Sequence, residues 1–220
     1  MGDRDGILRR TEAFVRERMH AEGSHDWWHV DRVRRTALRL AGEEGADPYV
    51  TELAALLHDV ADHKFHDGDE TAGPRAARAW LASAGADAET VEHVCAIIAA
   101  LSYKGAGVPT PMASPEGAVV QDADRLDAIG AIGIARAFAY GGSRGRPLHE
   151  PGEAPELHDS FDRYKASTGA SINHFHEKLL LLRDRMNTPA ARRIAEGRHR
   201  FMQEYLDRFH AEWDGTDEPA

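Results

Sequence analysis

The adjacent pair His58-Asp59 closes an apolar run, LAALLHDVAD. An imidazole beside a carboxylate in such a stretch is costly to bury unless something partners both, and a divalent cation does so. Taken alone, the pair reads rather as a solvated helix end with two polar residues. Two further residues change that balance. His29 lies one helix earlier, on the same side as Val33 and Ala37. Asp124 stands in QDADRLDAIG, where it opens a small-residue helix in which Gly130 and Gly133 permit close packing. Three helices thus each offer ligands toward a shared core. Two neutral imidazoles with two carboxylates suit Mn2+, Fe2+, Co2+, Ni2+ or Mg2+ better than a structural zinc site, which usually contains cysteines. The one cysteine, Cys95, falls in the apolar stripe of Val91, Val94 and Ile98 and reads as a small core residue.

A cation in this setting polarises a phosphoryl oxygen and lowers the pKa of a bound water. Hydrolysis also needs an acid/base group beside it. Asp62 lies four residues after His58, one turn along the same face, and Asp67, in the turn HDGDE, is a weaker second. Their plain alternatives are a helix-end carboxylate and a loop or capping residue. Lys64 can hold a substrate phosphate as a point charge. Tyr103, with Lys104, lies at the mouth of a loop and can contact a base or sugar. Asp127, one turn after Asp124, can orient a ligand or accept a hydroxyl hydrogen bond. Each of these contacts has a surface role as its alternative. His25 precedes His29 by one turn, and Trp27 and Trp28 read as packing residues.

The elements that must position these groups are helical. Apolar residues recur at helical spacing over residues 5–21, 27–44, 49–63 and 87–102, with an alanine-rich helix over 70–84. Ser24 or Asp26 caps the second helix, and Asp47-Pro48 opens the third. The stretches 105–115 and 141–155 read as loops, the second long enough for a lid. Helices resume over 158–168 and 171–186. A long final helix over 188–213 carries Ile194, Phe201, Tyr205 and Phe209 on one face. No segment alternates well enough for a strand. The expected fold is all-α: a single domain over 1–213, with a metal-binding core over about 22–140, an additional C-terminal helical segment over about 156–213, and a frayed tail at 214–220.

The 220 residues carry 27 Lys and Arg against 37 Asp and Glu, a formal net charge of −10. That balance opposes general binding to a phosphate backbone but not to a small phosphorylated substrate, because a metal and a few local cations dominate at short range. The N-terminus MGDRDGILRR has no apolar core of a signal peptide, and no window is apolar enough to span a membrane. A cytoplasmic protein is expected. A homodimer is an arrangement the sequence leaves open.

The order H…HD…D also resembles the HD superfamily. SHDWWHVDRVRRTAL looks like that family's first motif, ELAALLHDVADHKF like its HD motif and VVQDADRLDAIGAIGIAR like its final aspartate motif. Together with INHFHEKLLLLRDRMNTPAARRIAEGRHRFMQEYLDRF, the chain resembles the bacterial YedJ/YpgQ-like HD hydrolases over nearly its whole length. The resemblance implies an all-α HD-domain bundle with His29, His58, Asp59 and Asp124 as ligands of one divalent metal ion, Mn2+ first among the candidates. It favours Asp124 over Asp122, because the family aspartate directly precedes the pair occupied here by Arg125-Leu126. It implies an acidic residue at the position of Asp62 and a phosphate contact at Lys178. The stretch IIAALSYKG holds no histidine, which points to a mononuclear site, with His63, His66 and His93 as the residues that would say otherwise. The activity implied is nucleoside (deoxy)triphosphate pyrophosphohydrolysis. The alternatives are a nucleoside monophosphate phosphatase, a cyclic nucleotide or alarmone phosphodiesterase, a non-catalytic nucleotide sensor and a metal-dependent oxygenase.

Overall fold

The computed structural model describes residues 3–19, 26–61, 71–157 and 168–217. Among the described residues the chain is all-α, with no strand. The helices are α1 (Arg4–Arg18), α2 (Trp27–Glu44), α3 (Pro48–Leu57), α4 (Ala72–Ser83), α5 (Ala88–Ala100), α6 (Pro115–Asp127), α7 (Gly130–Ser143), α8 (Asn173–Glu177) and α9 (Pro189–Asp214), with a 3₁₀ helix at Leu179–Arg185 between the last two. None is long and apolar enough to cross a membrane. The helix expected over 158–168 falls almost wholly outside the described residues.

Local chemistry sets the boundaries. Asp26 caps α2 by accepting from the His29 N–H at 2.9 Å, and Gly45, with φ of 74°, closes it in the left-handed region. Asp47 and Pro48 open α3 as expected. α3 is shorter than its spacing predicts. It ends at Leu57, and Val60 N–H bonds the Leu57 carbonyl in a tight turn, so His58 and Asp59 sit just past the helix.

Ser114 caps α6 and Pro115 occupies its first turn. Asp124 therefore lies near the end of α6 rather than opening a helix. The break comes after it, at Gly130, whose φ is 76°. A Cβ on Gly130 would press on Arg198 at 3.0 Å, and one on Gly133 would stand 2.2 Å from the Ala128 carbonyl oxygen. Only glycines let α7 begin this close behind α6.

The core gathers on α2, which packs between α3 and α6. Val30, Val33, Ala37 and Leu40 meet Leu53, Leu56 and Leu57 of α3 and Val119, Val120 and Leu126 of α6, all fully buried. α9 lies across α6, α7 and α2. Asp122 fixes that arrangement. Its carboxylate accepts from Asn187 N (2.7 Å), Asn187 Nδ2 (2.9 Å), Thr188 N (2.8 Å) and Thr188 Oγ1 (2.7 Å), while Thr188 caps α9.

Four further expectations need correction. The helix expected over 171–186 is broken at Lys178, and the leucine run continues as a 3₁₀ helix; with three residues per turn, Leu179 and Leu182 stack on one buried edge. α7 runs to Ser143, so only the part of 141–155 beyond it is loop, and that part is tied down by Ser171 N–H to Pro147 O (2.9 Å) and Ile172 N–H to Leu148 O (3.0 Å). On α9 the fully buried residues are Ala191, Ala195, Met202 and Leu206; Ile194, Tyr205 and Phe209 pack half-buried against the core as expected, whereas Phe201 is exposed. Trp28 is likewise exposed, while Trp27 packs as expected beneath Arg16. Cys95 is buried, and burial pushes its thiol pKa up.

Candidate metal centre

His29 is the third residue of α2, and the capped first turn aims it inward until almost nothing of it is exposed. Its Nδ1 lies 2.7 Å from Asp127 Oδ2 and 2.5 Å from Arg136 Nη1; the carboxylate can only accept, so the Nδ1 proton is directed to Asp127. His58 Nδ1 lies 2.8 Å from the Ala55 carbonyl, which can only accept, so that nitrogen carries the proton. With both Nδ1 atoms donating, Nε2 of each ring is the nitrogen left to meet a cation or a further proton. These two Nε2 atoms lie 3.2 Å apart.

Two carboxylates join them. Asp59 Oδ2 lies 3.3 Å from His29 Nε2 and 3.6 Å from His58 Nε2. Asp124 Oδ1 lies 3.6 Å and 4.0 Å from the same two nitrogens. Electron-rich atoms crowded like this repel unless positive charge sits among them. Ligands about 2.1 Å from a six-coordinate ion are about 3 Å apart along its edges, close to these spacings. His29, His58 and Asp59 form the tightest group, and Asp124 borders it from α6.

Electrostatics agree. Burial acts to lower the His29 pKa, but hydrogen bonds to Asp127 and Asp59 outweigh burial and the nearby Arg136, leaving it raised to about 9. This cluster draws positive charge inward. Burial acts to raise the Asp127 pKa, yet the bonds from His29 and Arg32 hold it well below the usual carboxylate range. Arg32 reaches Asp127 Oδ1 through Nε at 2.6 Å and Oδ2 through Nη2 at 3.0 Å, and Arg136 donates to Oδ2 as well. Side-chain exposure rises from 2% at His29 to 37% at Asp124, so the cluster opens toward solvent on the Asp124 side.

The structure thus brings together His29, His58, Asp59 and Asp124, with Asp127 directly behind His29. Tyr103 and Lys178 form a second group: Lys178 Nζ is 5.0 Å from the Tyr103 ring centroid, as is the Arg185 guanidinium. Asp62, Lys64 and Asp67, together with His25, His63 and His66, lie outside the described residues. His93 bonds Ser114 Oγ at 2.9 Å and Glu116 Oε2 at 3.5 Å, at the opposite end of α6 from Asp124. Asp122, the alternative to Asp124, turns away toward α9. Arg185 donates to the carbonyls of Val108 and Ala106 and pins the loop before α6. Arg32 and Arg136 were not anticipated. Arg32 stands one turn after His29 in α2, a signal that spacing offered, whereas Arg136 has no short-range link to either partner.

Paired imidazoles and carboxylates, delivered by separate helices of an all-α core in the order H…HD…D, define a metal-dependent phosphohydrolase of the HD type. The HD domain family matches residues 27–129. YpgQ of Bacillus subtilis strain 168 is 38% identical over 197 residues, covering 88% of this chain and 86% of YpgQ; the chain belongs to the HD family. A crystal structure of an HD-superfamily hydrolase from Bacillus thuringiensis is 41% identical, with a TM-score of 0.74 over 96% of this chain and 98% of that one. A crystal structure of Bacillus subtilis YpgQ in complex with ADP is 34% identical, with a TM-score of 0.75 over 95% of this chain and 96% of that one.

Proposed function

We propose that His29, His58, Asp59 and Asp124 together hold one divalent cation, Mn2+, and that the protein hydrolyses nucleoside or deoxynucleoside triphosphates with release of pyrophosphate. The observation that carries the reading is the convergence of two imidazole Nε2 atoms at 3.2 Å with a carboxylate oxygen of Asp59 and one of Asp124 beside them. When bound, the cation supplies a polarised phosphoryl oxygen and a water of lowered pKa. The chain's own residues do the rest. Asp62, four residues beyond His58 in sequence, takes and returns the proton. Lys64 and Lys178 hold phosphate oxygens, and Tyr103 steadies the nucleoside. The ADP complex of YpgQ supports a nucleotide as the substrate class. A nucleotide substrate also fits a cytoplasmic place of action.

Incubating the protein with Mn2+ and a panel of nucleotides, and resolving pyrophosphate from orthophosphate, tests the proposal. Pyrophosphate with a nucleoside monophosphate is expected. Orthophosphate alone would point instead to a monophosphatase, and no turnover of any nucleotide to a sensor. Asp62→Asn is expected to keep the cation and lose most of the rate; full activity would remove Asp62 from its role.

A further inference from the structure

Both histidines need a partner for Nδ1, but the two partners differ in kind. His58 uses the backbone carbonyl of Ala55, which no substitution deletes. His29 depends on a side chain, Asp127, which belongs to a different helix. Asp127 is buried, and its two oxygens receive His29, Arg32 and Arg136. Behind His29, therefore, α2, α6 and α7 meet on one carboxylate. Two guanidinium groups against one carboxylate favour its ionised form and fix both oxygens. Such a carboxylate is taken up and cannot serve a substrate hydroxyl. What it can do is hold the His29 proton on Nδ1, fix the ring plane, and make Nε2 a better donor.

We infer that Asp127, clamped by Arg32 and Arg136, is the positioning residue for His29, and that it couples α7 to the cation site. The inference rests on the cation-binding reading above and, of the two roles open to Asp127 in the sequence, selects orientation of a ligand, names that ligand as His29 and adds the two arginines that hold it. An amide at this position would present its NH2 group to Nδ1 or lose the Arg32 fork. In the first case the imidazole takes the other tautomer, with its proton on Nε2, where the lone pair is needed.

The test compares Mn2+ affinity by titration calorimetry and the imidazole-nitrogen coupling in pulsed EPR of bound Mn2+. Wild type, Asp127→Asn, Arg136→Gln and Thr188→Ala are measured side by side. Asp127→Asn is expected to weaken Mn2+ binding by about 10–100-fold and to alter the nitrogen coupling. Arg136→Gln is expected to weaken it by several-fold. Thr188→Ala loosens the α9 cap and Asp122 without touching His29, so it is expected to lower Tm while leaving Mn2+ affinity unchanged. Wild-type protein that binds no Mn2+ would sink the cation-site reading itself. Wild-type protein that binds Mn2+, with Asp127→Asn equal to it in affinity and nitrogen coupling, would overturn the positioning role alone. If Asp127→Asn does not fold, Arg136→Gln decides, and unchanged affinity there also overturns it.

Discussion

The two aspartates of QDADR provide a sharp separation of stability from chemistry. Asp122 Oδ1 serves the backbone and side-chain nitrogens of Asn187, and Oδ2 serves the N–H and hydroxyl of Thr188. In Asp122→Asn one oxygen remains for Asn187. The other becomes an NH2 group facing the Thr188 N–H, while the hydroxyl can turn to accept. One buried donor is thus orphaned, at about 1–3 kcal/mol, and the remaining charge-assisted bonds become neutral ones, each weaker by roughly 1 kcal/mol. Removing the charge offsets part of this, since burial already pushes the Asp122 pKa up against those same bonds. The net loss is about 2–4 kcal/mol, or a fall in Tm of about 5–15 °C for a chain of this size. Mn2+ affinity, measured by calorimetry well below Tm, is expected to stay within about threefold of wild type, because Asp122 points away from His29. Asp124→Asn is expected to do the reverse, with little change in Tm and a large loss of Mn2+ binding. If Asp122→Asn kept its Tm and lost the cation, the choice of Asp124 as the ligand, and the geometry behind it, would be wrong.

Mn2+ at one hundred times its dissociation constant is expected to stabilise the fold by about 2.7 kcal/mol and to raise Tm by about 5–10 °C; EDTA should reverse the shift in a thermal melt, and no shift would count against the site. Burial holds the His199 imidazole below its ordinary pKa, with Arg183 adding to the effect. The folded state then binds that proton less tightly than the unfolded chain, so this stability is full above about pH 6.5 and lost as pH falls. Since His199 Nδ1 is buried with no hydrogen-bond partner among the described residues, His199→Leu is expected to fold and to narrow the Tm difference between pH 8 and pH 5. Trp28→Ser, at a residue 62% exposed, is expected to change stability by no more than about 0.5 kcal/mol in chemical denaturation.

Much of this architecture was legible in short-range chemistry. The stripe Val30, Val33, Ala37, Leu40 gave α2 and its buried face, because helical spacing is a local property. Asp26, Asp47-Pro48 and Gly45 marked their boundaries, because capping involves only neighbouring groups. His58-Asp59 stood out as a polar pair in an apolar run, whereas His29 and Asp124 were singled out by the likeness to the HD motifs around them. What escaped was decided at a distance. Lys178 interrupts a helix, and the leucines after it run on at three residues per turn with Leu179 and Leu182 against the core, a contact between distant parts of the chain. Trp28 and Phe201 are apolar residues left outside by the packing of other helices. Arg136 reaches Asp127 only through the turn that Gly130 allows. Asp122 and Asp124 look alike in sequence, and they differ only in what α6 turns them toward.

The clamp between Asp122 and residues 187–188 also orders events in time. Its four donors come from a segment 65 and 66 residues further along the chain. While the protein is being made, the ribosome has already released the HD stretch when those donors are still untranslated. Until they arrive, the carboxylate two places from Asp124 has no partners for burial, and the end of α6 has no reason to settle. A nascent chain therefore cannot close this clamp until residues 187 and 188 have been made.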